Sequence, residues 1–88
     1  MHKYIVELPH KHEARFSISF GPYGSRVDGI VFDDNANVVA ETGIPPMYVD
    51  YCHAEMIALT IGQMIPALAD DATEYVSAAG IDCECDDY

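Results

Sequence analysis

The sequence predicts a single small α+β domain in which an antiparallel sheet of about four strands packs on one main helix. The first half of the chain contains short stretches in which apolar and polar residues alternate, the pattern of half-buried strands. A longer stretch after them carries apolar residues at helical spacing. The 88 residues, 50% of them hydrophobic, suffice for one core and are too few for two domains.

The first strands are expected on either side of a polar turn. Residues 4–8 form a short extended segment that Pro9 closes, and residues 10–13 (His-Lys-His-Glu) read as a solvated turn. Residues 15–20 alternate phenylalanine and isoleucine with serine, which predicts a half-buried strand. The Gly-Pro-Tyr-Gly segment that follows breaks this strand.

A β-hairpin is predicted next. Residues 27–32 and residues 38–42 are both rich in strand-forming side chains. The segment between them, residues 33–37 (Asp-Asp-Asn-Ala-Asn), is rich in side chains that bond their own backbone in turns.

One main helix is predicted after the hairpin. Asp50 is a good N-cap, the helix should run from Tyr51 to about Ile65, and Pro66 should end or kink it. Its apolar face consists of Ile57, Ile61, Met64, Ile65 and Leu68.

A turn and a fourth strand are expected after the helix. Residues 70–73 read as the turn and residues 74–79 as the strand, which gives the order β-β-β-α-β. Residues 81–86 alternate apolar and acidic side chains, so an extended tail would turn its cysteines inward and its carboxylates outward, about 6.7 Å apart.

The charge balance excludes some partners. Fifteen acidic residues against four basic ones give a net charge of −11, so the chain cannot neutralise the phosphates of a nucleic acid or of an anionic membrane. The balance fits a basic surface on another protein, and it equally fits simple solubility.

The cysteine count and the absence of long apolar stretches predict a cytoplasmic protein, cellular or viral. Residues 1–9 show no export signal, and the longest uncharged run, residues 56–69, is too short and broken to span a bilayer. Cys52, Cys83 and Cys85 make an odd set without a disulfide pattern, which favours a reducing compartment.

One motif points to chemistry. His53-Ala54-Glu55 falls in the first turn of the predicted helix, directly after Cys52. Zinc-dependent hydrolytic deamination needs an imidazole or thiolate and two further thiolates on the metal. It also needs a nearby carboxylate that is not a ligand and that moves protons between the zinc-bound water and the base.

The region around this triplet resembles the zinc-dependent nucleoside and nucleobase deaminase superfamily. The resemblance covers about residues 24–77: the hairpin, the stretch His-Ala-Glu-Met-Ile-Ala-Leu at residues 53–59, and Ala-Thr-Glu-Tyr-Val-Ser at residues 72–77. It implies His53, Cys83 and Cys85 as zinc ligands and Glu55 as the proton shuttle, with a second copy of the chain completing the pocket if one is needed.

The sequence departs from that family at the cysteines. The family places a Pro-Cys-x-x-Cys after the following strand, whereas here Cys83 and Cys85 are separated by one residue and no proline precedes them. The two cysteines can join His53 on zinc, because short spacings chelate, or face inward on a strand that binds no metal. The second interpretation, without a cofactor, is the one we prefer.

A weaker resemblance links the same hairpin and helix to the ribonuclease H fold, whose first helix carries a catalytic glutamate. Glu55 occupies that position. The aspartates that this family needs on two strands to clamp its metal ions are missing, since Phe20, Ala78 and Ala79 stand there instead.

Two short signals have both a structural and a chemical interpretation. His10 and His12 have the spacing of a metal chelator and also suit a polar turn. Cys52, near a helix start, is either a reactive thiol or a small core residue.

The acidic clusters predict a non-enzymatic interaction or inhibitor protein. Their spaced charges are similar in kind to a nucleic-acid backbone, as in small viral proteins that occupy the nucleic-acid groove of a host defence protein. We therefore expect a basic surface, for instance that of a nucleic-acid-binding protein, as the partner. The expected contact residues are Asp70, Asp71, Asp82, Glu84, Asp86 and Asp87.

Overall fold

The computed structural model describes residues 2–21, 24–42 and 52–81 and confirms a small α+β fold built on a four-stranded antiparallel sheet. The strands precede the helices in the chain, and a 3₁₀ helix, Pro66–Asp71, joins the two α-helices. The strands are β1 His2–Leu8, β2 His12–Gly21, β3 Gly24–Phe32 and β4 Val38–Thr42, and the helices are α1 His53–Met64 and α2 Ala72–Ala78.

The sheet is a simple meander in which each strand pairs with the next along the chain. A turn at residues 9–11 joins β1 to β2, so His12 and Glu13 belong to β2 and not to the predicted turn. In the predicted turn between β3 and β4, the carboxylate of Asp33 accepts hydrogen bonds from the backbone N–H groups of Asn35 and Asn37, at 2.8 and 2.9 Å. This short-range bonding closes the hairpin that the sequence predicts.

One face of the sheet is covered by the helices and holds the core. Residues alternate between the faces along each strand, so every second residue of β1 to β3 points at the helical layer. Apolar side chains of α1 and α2 pack against this face of the sheet. The buried core consists of Val6, Leu8, Ala14, Phe16, Ile18, Val27, Val31, Met56, Ile57, Ile61, Ala72 and Val76.

The absence of a side chain at Gly29 on β3 leaves space in this core for the ring of Phe16 on β2. The two residues are paired across the strands, and Phe16 is almost fully buried. A Cβ atom on Gly29 would lie 2.7 Å from Cδ1 and Cε1 of Phe16 and 3.2 Å from Cε of Met64 on α1. The missing side chain therefore leaves room for the ring of Phe16 next to Gly29.

The prediction of a strand at residues 74–79 is wrong, because α2 occupies residues 72–78. Ala72 and Val76, four residues apart, are both buried, so the segment docks one helical face on the core. Gly80 ends the helix with a positive φ of 79°, while the N–H groups of Gly80 and Ile81 bond the carbonyls of Ser77 and Val76. The fourth strand is β1, the early extended segment.

The predicted turn at residues 70–73 is also wrong, since it is divided between the 3₁₀ helix and α2. The main helix is confirmed, but it begins at His53 and has Cys52 at its N-cap position. Asp50, the expected cap, lies outside the described residues, as do residues 82–88 of the alternating tail. Helix α1 ends at Met64, just before Pro66, as expected for a residue without a backbone N–H.

Candidate functional site

His53 is joined to the edge strand of the sheet. It is the first residue of α1, and its Nδ1 atom shares a hydrogen bond of 2.5 Å with the hydroxyl of Tyr4 on β1. The imidazole of His2 lies beside it, with ring centres 4.9 Å apart and ring planes inclined by 55°. His2 and Tyr4 occupy alternate positions of β1 and therefore share the face of the sheet that the helices cover. The three side chains form a cluster at the junction of β1 and α1, here called the His2–Tyr4–His53 cluster.

The surroundings of His53 favour its neutral form. Burial lowers the pKa of this imidazole below its usual value of 6.5, and the neighbouring His2 lowers it further. A neutral imidazole is the form that binds a metal ion or accepts a proton.

Glu55, the expected proton shuttle, is exposed in the first turn of α1. The structure thus brings His53 and Glu55 to the start of one helix, as the motif predicts. Oε1 of Glu55 lies 3.6 Å from Sγ of Cys52. Cys52 is buried and disulfide-bonded, so its sulfur has no proton to donate and the approach to Glu55 is a van der Waals contact.

The disulfide is a correction to the prediction of reduced cysteines, and it removes the interpretation of Cys52 as a reactive thiol. Cys83 and Cys85, the other two expected zinc ligands, lie outside the described residues. Within the part of the chain that the structure describes, no group of three or more histidine, cysteine, aspartate or glutamate residues is arranged to hold a metal ion.

The acidic residues of the helical layer are exposed. Asp70 and Asp71 end the 3₁₀ helix, and Glu74 follows them in the first turn of α2. Sequence reasoning missed Glu74 because it placed this residue on a strand, although its spacing from Asp70 and Asp71 on a helix would have placed it beside them. Asp82, Glu84, Asp86 and Asp87 lie outside the described residues.

The lysine and arginine residues are confined to the strands of the sheet and its first turn. Residues 52–81 contain four acidic residues and no lysine or arginine. Both ion pairs of the described residues lie on the sheet, where Nε of Arg15 contacts Glu13 at 2.6 Å and Nε of Arg26 contacts Asp28 at 3.0 Å. Asp70, Asp71 and Glu74 take part in no ion pair among the described residues. The helical layer therefore presents uncompensated negative charge.

A cavity of about 410 Å³ opens at the end of the sheet that carries the two hairpin turns. The guanidinium of Arg15 lies 5.4 Å from the centre of the Phe32 ring at this cavity. Its lining mixes cations and carboxylates, so it shows no preference for a ligand of one charge. The lining residues are Lys11, Glu13, Arg15, Phe32, Asp33, Asp34 and Ala36.

Nothing in the linear sequence pointed to His2 or Tyr4 as neighbours of His53, because 49 residues separate Tyr4 from His53.

None of the helices in the described part of the chain has the length and apolar character needed to cross a membrane. No protein-family model, curated protein or solved structure matches this chain.

Proposed function

We propose that this protein is a non-enzymatic interaction protein whose acidic helical layer docks on a basic surface of a partner protein. The observation that carries the proposal is the distribution of charge: residues 52–81 contain no lysine or arginine, and both ion pairs found among the described residues lie on the sheet. Uncompensated surface charge attracts an oppositely charged partner over about a Debye length, roughly 8–10 Å at physiological salt.

The partner best suited to this surface is a nucleic-acid-binding protein. Its groove is built to receive rows of negative charge, and an acidic protein that fills the groove acts as a competitive inhibitor and nucleic-acid mimic. The proposed contact residues are Asp70, Asp71 and Glu74 and, from the sequence alone, the acidic residues of the tail. The tail residues are Asp82, Glu84, Asp86 and Asp87.

Affinity capture with matched variants tests the proposal. The first bait is the wild-type chain, and the second carries Asp70→Asn, Asp71→Asn and Glu74→Gln. A third bait controls for net charge, with three exposed acidic residues outside the helical layer neutralised. The control substitutions are Glu7→Gln, Asp34→Asn and Glu41→Gln.

We expect a partner that is retained by the wild type and the control bait, is lost from the helical-layer bait, and elutes as salt is raised. Its binding to nucleic acid should be displaced by this protein. Equal loss from both variant baits would mean that only total charge matters, and retention by both would mean that the helical layer is not the contact surface.

The proposed compartment is the cytoplasm of a cell, either as a cellular or as a viral protein. A disulfide at Cys52 is unusual there, because the cytosol keeps thiols reduced. Alkylation of the protein in intact cells, followed by mass spectrometry, measures whether Cys52 is a free thiol or is protected in a disulfide. A modified Cys52 supports the cytoplasmic assignment, and a protected Cys52 supports an oxidising compartment.

Zinc-dependent deamination is the alternative, favoured by one observation: His53 and Glu55 share the first turn of α1. In that case the disulfide at Cys52 would be reduced, His53, Cys83 and Cys85 would hold zinc, and Glu55 would move a proton of the water that the metal activates. Chain purified without a tag under reducing conditions should then hold about one zinc ion per chain. His53→Ala should lose the metal, and Glu55→Ala should keep the fold and the metal but lose turnover of cytidine or adenosine derivatives.

A further inference from the structure

The His2–Tyr4–His53 cluster brings two imidazoles from distant parts of the chain to one place. His2 lies on edge strand β1 and His53 begins α1, and their ring centres are 4.9 Å apart. Two imidazoles bound to one tetrahedral zinc ion at about 2.0–2.1 Å have ring centres roughly 5 Å apart. The separation of the two ring centres is therefore compatible with a shared metal ion.

Tyr4 orients His53 for such a role. Its hydroxyl is bonded to Nδ1 of His53, so His53 would coordinate through Nε2. Metal-binding histidines commonly have their second ring nitrogen fixed in this way by a hydrogen-bonding group, which sets the orientation of the ring.

We propose that His2 and His53 bind one divalent transition-metal ion, of the zinc class, between β1 and α1. Imidazole nitrogens suit zinc, copper and nickel and do not suit magnesium or calcium. Two protein ligands make a weaker site than the closed four-ligand sites of structural zinc. The site is independent of the acidic helical layer, and it shares only His53 with the deaminase ligand set.

Metal at this site would tie the edge of the sheet to the start of the main helix. An ion that binds the folded chain and not the unfolded one raises the melting temperature by mass action. For a chain of this size the rise is on the order of 10 °C when free metal exceeds its Kd a hundredfold.

The test is a titration of the metal-stripped, full-length chain with zinc, followed by calorimetry and by thermal melts. His2→Gln removes one proposed ligand at an exposed position, so the fold should remain, and its own melt without metal is the baseline for its thermal shift. A matched control is the double variant His10→Gln/His12→Gln. These histidines also lie close together, with ring centres 6.5 Å apart, but Nδ1 of His12 donates to the carbonyl of His10 at 2.9 Å.

We expect the wild type and the His10→Gln/His12→Gln control to bind one zinc ion and to melt at a higher temperature with metal. His2→Gln and His53→Gln should each bind zinc at least about tenfold more weakly and lose most of the thermal shift. Zinc affinity unchanged in His2→Gln would overturn the proposal, and loss in His53→Gln alone would assign the metal to the deaminase ligand set. No binding by the wild type would overturn it as well.

Discussion

A side chain at Gly29 should displace the aromatic centre of the core. In Gly29→Ala the new methyl group would lie 2.7 Å from two ring atoms of Phe16 and 3.2 Å from the terminal carbon of Met64. Phe16 is 1% exposed, so its ring is enclosed by the core, and the terminal carbon of Met64 is also tightly placed against the new methyl group.

The expected cost combines two opposing effects. Overfilling a well-packed core costs about 1–3 kcal/mol. Alanine in a strand recovers roughly 0.5–1 kcal/mol of the backbone entropy that glycine loses on folding. The net loss is about 0–2.5 kcal/mol, which lowers the melting temperature by up to roughly 20 °C in a domain of this size.

Urea unfolding followed by circular dichroism measures this loss, and a double-mutant cycle assigns its cause. Phe16→Leu removes the ring edge that the new methyl group would meet, so Gly29→Ala should cost at least about 0.5 kcal/mol less in that background. Equal costs in the two backgrounds would refute the argument that the glycine serves the packing of Phe16.

Three further predictions concern single side chains. Tyr4→Phe removes the hydrogen bond to His53 and should cost about 0.5–1.5 kcal/mol of unfolding free energy in urea titrations; no loss would mean that the bond does not hold β1 to α1. Burial and the neighbouring His2 lower the folded-state pKa of His53, so protonation of this imidazole favours the unfolded chain. The stabilisation of the fold by neutral His53 is therefore complete above about pH 6.5 and declines as pH falls below that value. The unfolding free energy of the wild type should therefore fall relative to that of His53→Gln between about pH 7.5 and pH 5, and parallel curves would contradict this. Hydrogen bonds in the turn, chiefly from the backbone N–H of Asn37, lower the pKa of Asp33 below 3.8. Asp33→Ala should therefore lower the melting temperature at neutral pH. The difference in melting temperature between the variant and the wild type should shrink as pH falls through the folded-state pKa of Asp33.

The sheet and the main helix were predictable because their signals are local. Alternation along β2, the Asx-rich turn after β3 and the apolar spacing of α1 each follow from a few neighbouring residues. Pro66 marked the end of α1 correctly for the same reason.

Helix α2 was missed because tertiary burial overrides strand propensity. Its Tyr-Val pair favours a strand when taken alone, while the structure buries Val76 with Ala72, one helical turn away. Gly80, which follows two alanines, carried a helix-end signal that the strand assignment ignored.

The His2–Tyr4–His53 cluster depends on the register of the edge strand and could not be predicted from the sequence. A shift of β1 by one residue would move His2 and Tyr4 to the opposite face, away from α1. The triplet that begins with His53 indicated where chemistry was expected, and only the fold showed which side chains lie beside it.

We propose that the helical layer, and not the total charge of the protein, makes the contact with a partner. Three exposed charges at about 0.5 kcal/mol each amount to about a tenfold change in Kd. The most direct measurement is the Kd of the captured partner for the wild type and for the two charge-matched triple variants, at low and at high salt. We expect binding at least about tenfold weaker for the Asp70/Asp71/Glu74 variant, near wild-type binding for the Glu7/Asp34/Glu41 variant, and a difference that shrinks as salt is raised. Equal affinities for the two variants at low salt would contradict it.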